Sequence, residues 1–160
     1  LEISPEKLTA KADSILFCLS KGLGAPVGSL VVGSLGFINE VKEWKKIISG
    51  SMKQAGIIAS AGIVALNNYE NSVRNDHELA KYLEKRLLEL EKVHVEPVET
   101  NLVYLELDVE NPFEISEKLN EKGIKAGPYH SEKRWRLVPH YGITKKDIDY
   151  FADTLNELIN

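Results

Sequence analysis

The chain has 160 residues, 20 of them Lys or Arg and 24 Asp or Glu, for a formal net charge of -4 at pH 7, so it lacks the basic excess a nucleic-acid binder presents to phosphates. A chain of this length can bury one real core or two small ones. Its single cysteine, Cys18, excludes an internal disulfide and fits a reducing, cytoplasmic setting, and the apolar runs at 28–33 and 57–66 are too short or too rich in small residues to span a bilayer, so a soluble protein is expected.

A short helix-like piece follows Pro5. Residues 15–19, Ile-Leu-Phe-Cys-Leu, are wholly apolar, the pattern of a strand buried on both faces. A glycine-rich turn, Ser20-Lys-Gly-Leu-Gly-Ala-Pro-Val-Gly28, leads to a second strand at 29–33. The chain offers few further apolar strands to flank this pair, so its first third reads as part of something larger. Phe37, Ile38, Val41, Trp44 and Ile48 fall at helical spacing among lysines, which predicts a basic amphipathic helix over 37–48. Residues 54–66 are small or apolar throughout and predict a helix buried on several sides or packed on a partner chain, with Gly56, Ala59, Ala61 and Gly62 allowing close approach.

Over 75–93 the leucines at 79, 83, 87 and 90 mark one packed face of a helix that bridges two domains. After Pro97 the residues alternate as a half-buried strand at 100–108, and Asn111-Pro112 then caps a helix ending at Gly123. Two short strands are expected at 124–126 and 135–138. The last helix opens at Thr144, with Asp147 three residues on and a stripe of Ile148, Phe151, Leu155 and Leu158. The expected fold is α/β: part of a large domain at 1–72, a connecting helix at 73–94, and a small βαββα domain at 95–160.

Chemistry concentrates at Lys21, directly after the apolar strand and followed by Gly22, Gly24, Pro26 and Gly28. A lysine fixed by stiff backbone against an apolar wall can attack an aldehyde as a neutral amine, and glycines let a flat cofactor lie close. A surface lysine in a tight turn fits the same spacing. The loop is not a nucleotide cradle, because its glycines lead into a strand instead of a helix and no Gly-Lys-Ser/Thr ending is present. No metal site is expected. Cys18 reads as a buried filler, His77 as a helix residue pairing locally, and His140 as a loop residue near a pocket mouth.

The run Ala12-Asp-Ser-Ile-Leu-Phe-Cys-Leu-Ser-Lys-Gly-Leu-Gly-Ala-Pro-Val-Gly-Ser29 resembles the cofactor-lysine segment of the low-specificity threonine aldolases, pyridoxal phosphate enzymes of the aspartate-aminotransferase-like fold type I. Lys45-Lys-Ile-Ile-Ser-Gly-Ser-Met-Lys-Gln-Ala-Gly56 is similar to that family's Arg-Lys-Met-Leu-Gly-Gly-Gly-Met-Arg-Gln-Ala-Gly, and Asn75-Asp-His77, Thr100-Asn-Leu-Val103 and Arg136-Leu-Val-Pro-His140 follow in the family's order. The resemblance implies cleavage of threonine or allo-threonine to glycine and acetaldehyde by pyridoxal 5'-phosphate held on Lys21 as an aldimine. It implies that Arg136 binds the substrate carboxylate, a task its planar fork suits. Lys46 and Lys53 would approach the cofactor phosphate from a neighbouring subunit, so a homo-oligomer with shared sites is implied.

Lysine replaces the family's arginine at 53, Ser49 and Ser51 replace glycines, and Pro139 stands where threonine is common. The family's ring-stacking histidine, pyridine-pairing aspartate and phosphate contacts precede the lysine and have no counterpart in these 160 residues; Asp13 belongs to the lead-in to the strand. The resemblance therefore covers the carboxy-terminal half of the family's length. A missing amino-terminal half is expected to supply the base, and this chain alone is expected to be inactive. Another fold type I enzyme, such as a β-eliminating lyase or a glycine hydroxymethyltransferase, and a non-catalytic oligomerisation fragment are the alternatives.

Overall fold

The structure is a computed structural model that describes residues 3–131 and 133–160. The chain forms two compact units, Leu1–Tyr69 and Glu70–Asn160.

In the first unit, helix α1 (Pro5–Thr9) is capped by the Ser4 side chain and begins on Pro5, whose missing N–H costs nothing there. Strand β1 (Ser14–Cys18) pairs antiparallel with β2 (Ser29–Gly33), Ser14 opposite Gly33 and Cys18 opposite Ser29. Helix α2 (Leu35–Ile47) starts where the Ser34 hydroxyl accepts the Phe37 N–H at 3.3 Å. Helix α3 (Gly56–Asn67) completes the unit.

Burial on both faces, expected for residues 15–19, is not found. Leu16 is 68% exposed and Val32 48%, and only Leu19, just past the strand, is buried. The reason is the strand count, since a two-stranded ribbon has no layer to cover either face. The small-residue helix is likewise covered on one side: Gly62 and Ala65 are buried, whereas Ile57, Ile63 and Val64 are exposed.

The second unit is built on α4 (Tyr69–Leu87), followed by β3 (Val93–Val95), β4 (Val103–Leu107), α5 (Pro112–Glu121), β5 (Arg134–Leu137) and α6 (Lys145–Ile159). The strands form an antiparallel sheet in the order β3-β4-β5. Alternation divides it cleanly: Val103, Leu105, Leu107 and Trp135 lie in the core with Leu83, Leu87, Leu119, Phe151 and Leu155. Each such buried side chain contributes roughly 1.5–3 kcal/mol. Tyr104, Glu106, Arg134 and Arg136 take the alternate positions on the same two strands.

The order of elements here is ββαβα, not the expected βαββα. Residues 124–126 are not a strand, because their backbone serves the end of α5. Gly123 sits at φ 80, its N–H bonds the Asn120 carbonyl at 2.9 Å, and the Ile124 N–H bonds Leu119 at 2.9 Å, a Schellman closure. The Ala126 carbonyl is taken by the Ser116 hydroxyl at 2.7 Å. The third strand is β3, which begins where the expected helix was to end; α4 stops at Leu87, and Leu90 is buried from a turn instead. Among the described residues no helix is long and apolar enough to cross a membrane.

Candidate active site

The Lys21 loop is closed from below. The Leu19 N–H donates to the Gly28 carbonyl at 2.9 Å and its carbonyl accepts the Ala25 N–H at 2.9 Å, while the Gly24 N–H caps the Lys21 carbonyl at 2.8 Å. Gly24 and Gly28 take φ of 73 and 124, backbone that side-chain-bearing residues rarely adopt. Leu19 is the anchor: it packs with Ala25 and Ala65, and α3 comes so near that a Cβ on Gly62 would stand 2.9 Å from the Leu19 Cδ1. Lys21 itself is exposed, with no ion pair or hydrogen bond to its amine among the described residues. A Cβ added at Gly22 or Gly24 would meet nothing within 4 Å, so the loop backbone beside Lys21 faces open space. The loop thus combines a fixed backbone with an exposed amine.

Lys46 lies in the last turn of α2 and Lys53 in the turn before α3, both exposed. Lys46 holds Glu43 at 2.8 Å, and both partners of the pair are largely in solvent. Such a pair is worth at most about 1 kcal/mol, so the ammonium is readily given up to a stronger anion. Neither lysine is bonded to Lys21 among the described residues.

Arg136 stands exposed on β5 in the second unit, opposite Tyr104 in register. Its Cζ lies 3.8 Å from the centroid of the Tyr129 ring, and no carboxylate pairs with it among the described residues. Its neighbour Arg134 is engaged, binding Glu96 at 2.7 Å. An unpaired guanidinium on a sheet face is equipped to take a carboxylate at both oxygens. Tyr129 is not marked in the sequence because it sits in an irregular loop, which the bridge of Pro128 to Trp135 and the Tyr129 N–H on the Arg134 carbonyl bring to the sheet.

A second feature missed in the sequence is Asp76 of α4, 2% exposed. Burial raises its carboxyl above the usual range, while His140 and His77 act in the opposite sense. The two histidines quoted from separate motifs thus share one buried carboxylate as an electrostatic neighbour. His140 also lines a cavity of about 640 Å³ with Ile124, Leu137, Val138, Ile143 and Phe151, and its Nδ1 lies 2.8 Å from the Tyr141 carbonyl. Cys18 is half-buried, its sulfur 3.5 Å from the Ser29 hydroxyl.

Residues 1–110 match the family model described as beta-eliminating lyase. The chain belongs to the beta-eliminating lyase family. Within reach of that family, it is 37% identical over 94% of its length to low-specificity L-threonine aldolase 1 of Arabidopsis thaliana, covering 43% of that protein. It is 34% identical over 89% of its length to the low specificity L-threonine aldolase of Escherichia coli K12, covering 42% of it. The chain therefore spans somewhat under half the length of these relatives. Its fold matches 47% of a crystal structure of a proposed L-allo-threonine aldolase from Listeria monocytogenes EGD-E, with a TM-score of 0.76 over 98% of this chain at 21% identity. That likeness carries the fold alone, an α/β fold shared with about half of that chain.

Proposed function

We propose that this chain is the cofactor-lysine and carboxylate-binding part of a pyridoxal phosphate-dependent aldehyde-lyase that cleaves threonine and allo-threonine to glycine and acetaldehyde. The observation that carries this reading is the 37% identity to a threonine aldolase across 94% of the chain. The residues present fit the cofactor: Lys21 offers an exposed amine with no partner among the described residues, and the backbone at Gly22 and Gly24 faces open space.

When bound, pyridoxal phosphate supplies the sink for the electrons of the broken Cα–Cβ bond. The protein's part is placement. Lys21 presents its amine from a loop whose backbone is pinned by Leu19 and α3, so its reach is set by side-chain rotamers alone. Arg136 takes the substrate carboxylate with two of its in-plane N–H groups. Lys46 and Lys53 counter the phosphate charge from a neighbouring subunit, and lysine at 53 does so as a point charge without a fork. Exposed Trp44, Ile47, Ile57 and Ile63 support burial of α2 and α3 in a homo-oligomer, and the lone cysteine supports a cytoplasmic setting.

Borohydride reduction with pyridoxal phosphate, followed by peptide mass spectrometry, tests the reading. A phosphopyridoxyl adduct confined to the Lys21 peptide is the expected result, and labelling scattered over surface lysines counts against it. The 160-residue chain alone is expected to release no measurable acetaldehyde from threonine, because it spans under half the length of its relatives and the base is expected from the amino-terminal half they carry. The family match itself favours one second reading, β-elimination. Keto-acid release from an amino acid with a β leaving group, in preference to glycine release from threonine, would select it.

A further inference from the structure

Arg136 has no charged partner among the described residues, yet its guanidinium is not loose. Its Cζ lies over the Tyr129 ring, 3.8 Å from the centroid. Tyr129 is held in turn on several sides. Its N–H donates to the Arg134 carbonyl at 2.7 Å, its ring meets the His130 ring edge-on at 4.0 Å, and the Tyr104 ring stands tilted at 6.5 Å. Beside it, Pro128 bridges to Trp135, whose side chain is fully buried, so the loop is tied to the rigid part of the sheet. His130 takes φ 63, a left-handed backbone that costs a non-glycine residue energy and persists only where its surroundings impose it. That bend is what folds the imidazole against Tyr129.

On the same face, Arg134 covers Tyr104 at 4.4 Å but is neutralised by Glu96. The two arginines are alike in lying over a tyrosine ring and unlike in pairing: Arg134 is spent on Glu96, and Arg136 meets no carboxylate among the described residues.

We propose that Tyr129 is a positioning residue for Arg136. Its ring fixes the plane of the guanidinium and leaves the in-plane N–H edge open to a substrate carboxylate. This rests on the reading of Arg136 as the carboxylate anchor. The physical reason is that stacking occupies the face of a guanidinium and none of its five donors, whereas an ion pair would consume them. An unstacked arginine samples many rotamers, and two-point binding of a carboxylate demands one orientation.

Side-chain NMR of the 160-residue chain, labelled at arginine, tests this in two arms. In the wild type, the Arg136 Nε–Hε proton is expected upfield through the Tyr129 ring current, with cross-peaks to that ring. Absence of both overturns the stack without recourse to a variant. Tyr129→Phe, which keeps the ring, should preserve the shift, and Tyr129→Leu should move it to the position of a free arginine. In the second arm glycine is titrated as the carboxylate probe, read at the same proton. Its apparent Kd should weaken about three- to tenfold in Tyr129→Leu and change by less than about twofold in Tyr129→Phe. Equal affinity in Tyr129→Leu overturns the positioning role. A wild-type Arg136 that keeps its ring shift but ignores glycine overturns the anchor reading instead, and with it the use assigned to the stack.

Discussion

Two helices of this chain end in the same way with different residues at the decisive position. After α5, Gly123 takes φ 80; after α2, Ser49 takes φ 57, with its N–H on the Lys46 carbonyl at 3.1 Å and the Gly50 N–H on Lys45 at 2.8 Å. Both are Schellman closures, and only one has the glycine that the left-handed position favours. Left-handed backbone costs a side-chain-bearing residue about 1–2 kcal/mol, and glycine returns about half of that as unfolded-state entropy. Ser49→Gly is therefore expected to stabilise by about 0.5–1 kcal/mol and Gly123→Ala to destabilise by about 1 kcal/mol, read from denaturant midpoints at unchanged slope. Asp76 gives a residue-scale effect of pH. Its folded carboxyl is raised, chiefly by burial, so the folded state binds the proton more tightly than the unfolded one. Its contribution to stability is full below the ordinary carboxylate range and is lost as pH rises through the raised value. Asp76→Asn should remove that loss, so thermal melts from about pH 4 to about pH 7 should show a smaller decline in the variant. An unchanged slope would mean that the histidines cancel the burial.

Among the elements, the best-encoded is α6. The Thr144 hydroxyl accepts the Asp147 N–H at 3.4 Å, and the Asp147 carboxylate accepts from the Thr144 hydroxyl at 2.6 Å and the Thr144 N–H at 2.8 Å, contacts that hold that carboxyl below its usual range. Thr144→Ala should cost about 1 kcal/mol in a thermal or denaturant melt. This box, the leucine face of α4, the alternation of β4 and the Asn111-Pro112 start of α5 were all legible, because each depends on residues within a few positions of one another. What was not legible depends on partners elsewhere. Ile124 and Ala126 alternate like a strand, but α5 claims their backbone groups; the Val93 and Val95 alternation is too short to stand out beside a long leucine helix. Lys21 was legible as a loop lysine, yet its brace was not, since Gly62 lies far along the chain. That brace is testable. Gly62→Val should push Leu19 aside and reduce phosphopyridoxyl labelling of Lys21. Gly56→Ala in the same helix, where a Cβ meets nothing within 4 Å, should leave labelling unchanged. Equal labelling in both variants would detach the lysine from α3.

At the scale of the molecule, the two units differ in what holds them. The second has a continuous core running through α4, the sheet, α5 and α6, with Trp135 fully buried inside it. It is tied further by Arg86, which bonds Glu89 at 3.1 Å, Asp153 at 2.7 Å and Asp149 as well. Among its described residues the first unit has a hydrophobic core of only Leu19, Ala25 and Ala65 and leaves Leu16, Leu35, Trp44 and Ile57 more than half exposed. Apolar burial is the main term offsetting chain entropy, so such a cluster leaves little to stabilise a two-stranded ribbon and three helices. Residues 70–160 expressed alone are therefore expected to unfold in one cooperative step, and residues 1–69 alone without one. The chain's two tryptophans fall one to each unit and report separately. In the 70–160 piece, Trp135 should emit from an apolar environment and shift red at the transition. In the 1–69 piece, Trp44 should emit as a solvated indole from the start. A cooperative transition in the 1–69 piece would mean that its exposed apolar residues find cover in a way that this arrangement of strands and helices does not contain. A non-cooperative 70–160 piece would place the stability of that core in its connection to the preceding helix.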